Sequence, residues 1–224
     1  MNLVLNIDTA TETASVSIAE NGMVLSFLEN AIQKDHASFL HKAVKEVLNM
    51  ARLELKQLDA VAVTNGPGSY TGLRVGMAAA KGLSYALSKP LITIGSLNTL
   101  AKAAINNHSD KINNSLLFCP MIDARRMEVY TGIFDKNMVE IIPACALILD
   151  EKAFSTELAA NTVFFFGSGS KKWSKIISSA NAHFINELDT IPAFAELSIK
   201  KLANKEFTDL QYSEPLYVKE FFSP

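Results

Sequence analysis

Two cysteines, Cys119 and Cys145, are all the thiol this 224-residue chain carries. The pair makes neither a disulfide framework nor a metal-knuckle spacing, and a reducing compartment is the simpler reading. Neither sign of charge prevails, since 21 Lys and Arg stand against 23 Asp and Glu. That balance excludes the overall basic surface of an autonomous nucleic-acid binder, though not a local patch. No apolar run approaches the roughly 18 residues of a membrane-spanning helix. The opening stretch MNLVLNIDTATETA lacks the basic start and long apolar core of a signal peptide. A cytoplasmic protein with no membrane association is therefore expected. What is present suits a folded chain: 49% hydrophobic and 20% charged residues exclude intrinsic disorder. The length fits one large or two small domains, each able to bury a core.

Periodicity divides the first half into elements. Leu3 to Ile7 is apolar, Ala14 to Ile18 alternates, and Asn21-Gly22 is a hairpin turn signal before Met23 to Leu28. From Asp35, placed to cap, the period changes. Ala37, Leu40, Val44, Val47, Leu48 and Ala51 form one helical stripe. Ala60 to Val63 reads as a strand buried on both faces. The loop Gly66-Pro-Gly-Ser-Tyr-Thr-Gly72 turns the chain into a second helix ending near Ser88. Leu91 to Ile94 is another buried strand, and Ser96 is placed to cap a third helix carrying Leu97, Leu100, Ala104 and Ile105. The order β-β-β-α-β-α-β-α predicts α/β layers around a mixed sheet.

The polar stretch at 106–115 is the best boundary and predicts domains at 1–106 and 107–224. The second half echoes the first. A shift of 115 pairs Ile7-Asp8 with Ile122-Asp123, Ile18 with Ile133, and Met23-Val24 with Met138-Val139. A shift of 101 brings the junction ending Gly66-Pro-Gly-Ser69 onto Phe164-Phe-Phe-Gly167-Ser-Gly-Ser170. A duplicated β-β-β-α-β-α unit is the architecture of the actin-like ATPase (ribonuclease H-like) fold, here with a reduced C-terminal copy.

The motifs admit bland and sharp readings. Gly66, Gly68 and Ser69 sit between a buried strand and a helix N-terminus, where amides can meet a phosphate. No Gly-Lys-Ser/Thr follows, and Thr71 stands where a dinucleotide fingerprint needs glycine. A tight turn with Ser69 as N-cap is preferred, and phosphate contact involving Asp8, Thr9, Gly66, Gly68 and Ser69 is the second reading. Asp8 ends the first strand and Asp123 is its echo, either as turn residues or as nucleotide contacts. Gly72, Gly76 and Gly82 lie inside a predicted helix, each costing about 0.5–1 kcal/mol relative to alanine. Internal packing and a partner's close approach explain them equally well. His36 and His41 are five apart, about 140° around a helix, and are not a metal pair. Lys171-Lys-Trp173 is a small basic-aromatic spot that reads as a solvated helix start rather than an RNA contact.

Together these residues resemble the TsaB (YeaZ) family, the smaller paralogue of TsaD in bacterial threonylcarbamoyladenosine synthesis on tRNA. The resemblance rests on Asn6-Ile-Asp-Thr9 with the Ala14-Ser-Val hairpin, His36, Leu58-Asp-Ala-Val61 and, above all, Gly66-Pro-Gly-Ser-Tyr-Thr-Gly-Leu-Arg-Val-Gly76. It continues through Ala80-Lys-Gly-Leu83, Lys89-Pro90, Asp123-Ala-Arg125, Glu128-Val-Tyr130 and Pro215-Leu-Tyr-Val-Lys219. The family usually reads Asp-Ala-Arg-Met-Gly-Glu-Val-Tyr and ends on arginine, so Arg126-Met127 and Lys219 depart from it. TsaD carries a His-x-x-x-His metal motif where this chain has Ser96 and Leu100, which removes both ligands. A metallopeptidase reading fails on that chemistry.

The resemblance implies a non-catalytic subunit that binds and activates TsaD together with the ATPase TsaE, a homodimer when alone, and tRNA reached through the complex. It implies no cofactor of its own, with ATP or ADP left to the complex, and no metal. The partner interface is expected on the first two helices, at Leu40, Val44, Val47, Thr71, Gly72, Leu73, Val75, Gly76, Met77 and Ala80. The alternative is an ATP-dependent small-molecule kinase or carbamoyl transferase of the same fold.

Overall fold

The computed structural model describes residues 2–32, 35–108 and 115–219. The middle of the polar boundary stretch, 109–114, lies outside them. The chain forms two compact units, Met1–Ser96 with Ile191–Leu216, and Leu97–Thr190 with Tyr217–Pro224. This division differs from one cut near 106, because a C-terminal segment returns to the first unit.

In the first unit, β1 (Leu3–Asp8), β2 (Ala14–Glu20) and β3 (Met23–Asn30) form an antiparallel meander. The Asn21-Gly22 turn between β2 and β3 has positive φ at both residues, as a tight hairpin requires. β4 (Ala60–Gly66) runs parallel to β1, and β5 (Leu91–Gly95) parallel to β4, giving the order β3-β2-β1-β4-β5. Both faces are covered, which is why β1 and β4 read as continuous apolar runs. Leu3, Leu5, Ile7, Val61 and Val63 face helices α1 (His36–Ala51) and α2 (Tyr70–Leu87). Val4, Ala60, Ala62, Ile92 and Ile94 instead meet Phe194 of the C-terminal helix Ile191–Ala203.

The second unit begins within the first turn of α3 (Ser96–Asn107), whose Leu97, Ala101, Ala104 and Ile105 pack on one face of its sheet. That sheet holds β6 (Leu116–Asp123), β7 (Glu128–Phe134), β8 (Glu140–Ile148), β9 (Thr162–Phe166) and β10 (Ala182–Ile185), in the order β10-β9-β6-β7-β8. Strand for strand this repeats the first sheet, including the parallel β6–β9 and β9–β10 pairs. The reduction falls on the helices. Where the first unit has helices of 16 and 18 residues, the second has α4 (Ser155–Ala160) and the four-residue α5 (Ser170–Trp173). The C-terminal helix Ile191–Ala203 is α6.

Three local expectations change. Asp35 stands before α1 but makes no side-chain cap bond, whereas Ser69 caps α2 by accepting from the Gly72 N–H. Ser96 opens α3 with its hydroxyl oxygen buried and without a partner. Trp173 is no solvated residue: it is fully buried, its Nε1–H donating to the Asp150 carbonyl at 3.1 Å. Among the described residues no helix is long and apolar enough to cross a membrane.

Candidate functional site

Parallel pairing of β1 and β4 brings Asp8 and Thr64 side by side at the strand ends. The Thr64 hydroxyl donates to Asp8 Oδ1 at 2.9 Å, and the Ala10 N–H donates to the same oxygen at 2.9 Å. Burial raises the Asp8 carboxyl above its ordinary value, against the lowering effect of the Ala10 N–H, the Thr64 hydroxyl and the charge of His36. His36 is itself buried, and its Nε2–H donates to the Glu12 carbonyl at 3.2 Å.

The glycines of the next loop and helix face this same β1–β2 connection. A Cβ on Gly68 would overlap the Ala10 carbonyl, one on Gly72 the Thr9 carbonyl, and one on Gly76 the Thr9 hydroxyl. The Thr9 hydroxyl donates to the Gly72 carbonyl at 2.8 Å and the Ser69 N–H to the Ala10 carbonyl at 2.7 Å. The Leu73 N–H is taken by the Ser69 carbonyl. The amides of Ser69, Gly72 and Leu73 are thus spent within the chain. Asp8, Thr9, Gly68 and Ser69 lie close together, and their contacts hold the β1–β2 loop against α2. Gly66, with φ +114°, fits beneath the Leu216 carbonyl.

The ten residues expected at a partner interface separate into two groups. Leu40, Val44, Val47, Gly72, Leu73, Gly76, Met77 and Ala80 are buried inside the first unit. Internal packing therefore accounts for Gly72 and Gly76. Thr71 is exposed and Val75 half-buried, on the outer side of α2. That side continues through exposed Ala78, Gly82 and Ala86. Gly82 has nothing within 4 Å of where its Cβ would stand, so its helix penalty has no internal explanation.

Next to this side lies a groove of about 440 Å³ lined by Leu40, His41, Val44, Lys45 and Leu48 of α1, Ala79 and Leu83 of α2, and residues 53–55. Its floor is the buried stripe read from the sequence. Its rim residues His41, Lys45 and Leu83 were missed, because periodicity finds the buried side of a helix, and only the unexplained Gly82 signals the other.

The echo site in the second unit is a different object. Asp123 is exposed and pairs with Lys172 of α5 at 3.0 Å. Lys172 Nζ also donates to the carbonyls of Arg126 and Glu128, at 2.8 and 2.6 Å. It thereby pins a β6–β7 turn in which Arg125 and Arg126 are both left-handed, with φ 71° and 43°. Outside glycine that backbone costs about 1–2 kcal/mol per residue. Lys219, which departs from the family's arginine, makes a two-oxygen pair with Glu128 at 2.9 and 2.8 Å.

On α3, Ser96 and Leu100 occupy the i and i+4 positions. Among the described residues, no three His, Cys, Asp or Glu side chains come together to hold a metal ion.

Comparison with known proteins agrees with this architecture. The family described as TsaD, tRNA N6-adenosine threonylcarbamoyltransferase, matches residues 29–215. The tRNA threonylcarbamoyladenosine biosynthesis protein TsaB of Bacillus subtilis is 34% identical over 143 residues, which are 62% of this chain and 59% of that protein. The match thus spans less than two thirds of that relative's length. A Pseudomonas aeruginosa crystal structure, of a protein described by its similarity to peptidase YEAZ, superposes with a TM-score of 0.82 at 26% identity. It covers 98% of this chain and 100% of that one. An Arthrobacter polyphosphate/ATP-glucomannokinase, at 11% identity and TM-score 0.52 over 92% of this chain and 100% of its own, shares the fold alone. The fold is the actin-like one, built from two related α/β halves.

Proposed function

The chain belongs to the TsaD family, and from that membership we propose that it is a non-catalytic subunit in forming threonylcarbamoyladenosine beside the tRNA anticodon. In this reading it binds and activates a catalytic TsaD paralogue, the ATPase TsaE joins the assembly, and tRNA is reached through the complex. The observation that carries it is the pair Ser96 and Leu100 on α3, in a chain whose relative in Bacillus subtilis is named a biosynthesis protein of this modification. Neither side chain is a competent ligand at i, i+4 spacing. The chain acts by favouring the active state of its partner, with no cofactor of its own, in the cytoplasm.

The groove between α1 and α2 supports the interface on the first two helices. From α2, Ala79 and Leu83 line it, beside the side of that helix that carries Thr71, Val75 and Gly82, while the buried Leu40 and Val44 form its floor and, with Val47, Gly72, Leu73, Gly76, Met77 and Ala80, hold the two helices to the sheet. The same face serves a homodimer when the partner is absent, so the two assemblies compete. Gly82→Leu is expected to leave the fold intact and to abolish co-purification with TsaD; unchanged co-purification removes the interface.

The kinase or carbamoyl-transferase alternative needs free amides where the loop enters α2, and the internal hydrogen bonds of the Ser69, Gly72 and Leu73 N–H groups count against it. Binding of Mg-ATP near one per chain, lost in Asp8→Ala, would restore it. The deciding experiment is reconstitution: tRNA modification by TsaD, TsaE and the enzyme that makes the threonylcarbamoyl donor, with and without this chain. Modification is expected to depend on the chain, and independence sinks the subunit reading.

A further inference from the structure

The β6–β7 turn has features that the subunit role leaves unexplained. Arg125 and Arg126 are adjacent, exposed and both left-handed, a backbone that arginine rarely adopts. Such a conformation persists only where its surroundings over-determine it, and an observed outlier of this kind points toward function. Here the surroundings are explicit. Lys172 bonds to Asp123, the Arg126 carbonyl and the Glu128 carbonyl, the Ala124 N–H donates to the Glu128 carbonyl, and the Glu128 N–H donates to the Arg125 carbonyl.

The charges are arranged with the same effect. Both carboxylates of the turn are already engaged by lysines, Asp123 by Lys172 and Glu128 by Lys219. The two guanidinium groups consequently carry charge that nothing in the turn neutralises. Lys171 and Lys175, flanking Lys172 on and just after α5, are exposed as well. A chain of net charge −2 thus holds a local, rigid, cationic projection.

We propose that Arg125 and Arg126 form a phosphate-backbone contact for RNA, a direct grip on the tRNA by the second unit. The proposal rests on the tRNA-modification reading. A guanidinium presents parallel donors that match two phosphate oxygens. Protein interfaces centre on buried aromatic or arginine anchors in apolar pockets, and the turn exposes a single large apolar side chain, Met127, with no aromatic ring beside it. Nucleic-acid interfaces draw half or more of their hydrogen bonds from phosphate and sugar, which this surface fits.

The test titrates the full chain against a fluorescently labelled, unmodified tRNA transcript at several salt concentrations, following anisotropy. Arg125→Gln/Arg126→Gln is expected to bind about tenfold more weakly at low salt, with the slope of log K against log salt falling by about 1.4–1.8, equivalent to two phosphate contacts. Arg125→Lys/Arg126→Lys keeps most of that slope. Arg126→Asn, a residue at ease in the left-handed region, separates loss of charge from loss of turn geometry. Equal affinity and slope for wild type and the Gln variant overturn the proposal. So does competition by polyglutamate as strong as that by tRNA at equal charge, which assigns the turn to an acidic protein. Reconstituted modification that proceeds without the chain sinks the subunit reading alone, because the titration decides RNA contact independently.

Discussion

Thr9 shows how one side chain explains two glycines. Its hydroxyl donates to the Gly72 carbonyl and occupies the space a Gly76 Cβ would need, while its own carbonyl occupies that of Gly72. Gly76→Ala is therefore expected to cost about 1–3 kcal/mol by overpacking, despite alanine's better helix propensity. Gly82→Ala, in open space on the same helix, is expected to gain about 0.5–1 kcal/mol. Opposite shifts of the urea midpoint check the pair, and shifts of the same sign refute the close contact. Asp8 gives a pH-dependent case. Its pKa lies above the ordinary carboxylate value in the folded chain, so the folded state holds the proton more tightly than the unfolded one. Stability from this group falls as pH rises from the unfolded value, near 3.8, through the folded one. Asp8→Asn keeps an acceptor for the Ala10 N–H and Thr64 hydroxyl without the buried charge. It is expected to exceed wild type at pH 7 and to lose that advantage toward pH 4; urea midpoints across that range check the sign.

Periodicity was informative wherever an element buries a continuous face, and failed where burial depends on distant partners. The stripe of α1 and the runs of β1, β4, β6 and β7 were legible because local spacing alone repeats their burial. α5 was not, since four residues carry no period. Its Trp173 is enclosed by Phe154, Phe165 and Phe184, with ring centroids 5.2, 4.7 and 6.1 Å away. These partners come from three other segments of the second unit, which a reading of Lys171-Lys-Trp173 by itself cannot supply. The function of α5 is thus to plug the core and, through Lys172, to hold the β6–β7 turn. Trp173→Ala is expected to cost about 3–5 kcal/mol. Trp173→Phe, which keeps a ring but frees the Asp150 carbonyl, is expected to cost about 1–3 kcal/mol. As the chain has one tryptophan, wild-type fluorescence reports this core alone. Its emission is expected to be blue-shifted, and to redden with the unfolding of the second unit; emission typical of an exposed indole contradicts the burial.

Duplication was visible at the scale of the molecule because the Ile7-Asp8 and Ile122-Asp123 strand ends recur, yet the course of the chain was not. A repeat detected by offset suggests two consecutive halves, whereas helix-to-sheet packing assigns α3 to the second sheet and α6 to the first. The reason is physical: each sheet has two apolar faces, and the helices following β5 and β10 go to whichever face lacks a cover. For the first sheet that face holds Val4, Ala60, Ala62, Ile92 and Ile94, sealed by Phe194. The segment after α6 then protects the open edge of β5, with the Thr208 N–H donating to the Leu91 carbonyl at 2.8 Å. Beyond it, Lys81 reaches the Gln211 and Ser213 carbonyls at 3.2 and 3.1 Å. A fragment of residues 1–106 would leave that apolar face and that edge in water. It is expected to aggregate or to bind a hydrophobic dye, and co-expression with 191–219 is expected to return a monomeric, dye-free species on gel filtration. A fragment 1–106 that melts cooperatively as a monomer by itself would show that α6 decorates the first sheet rather than completing it.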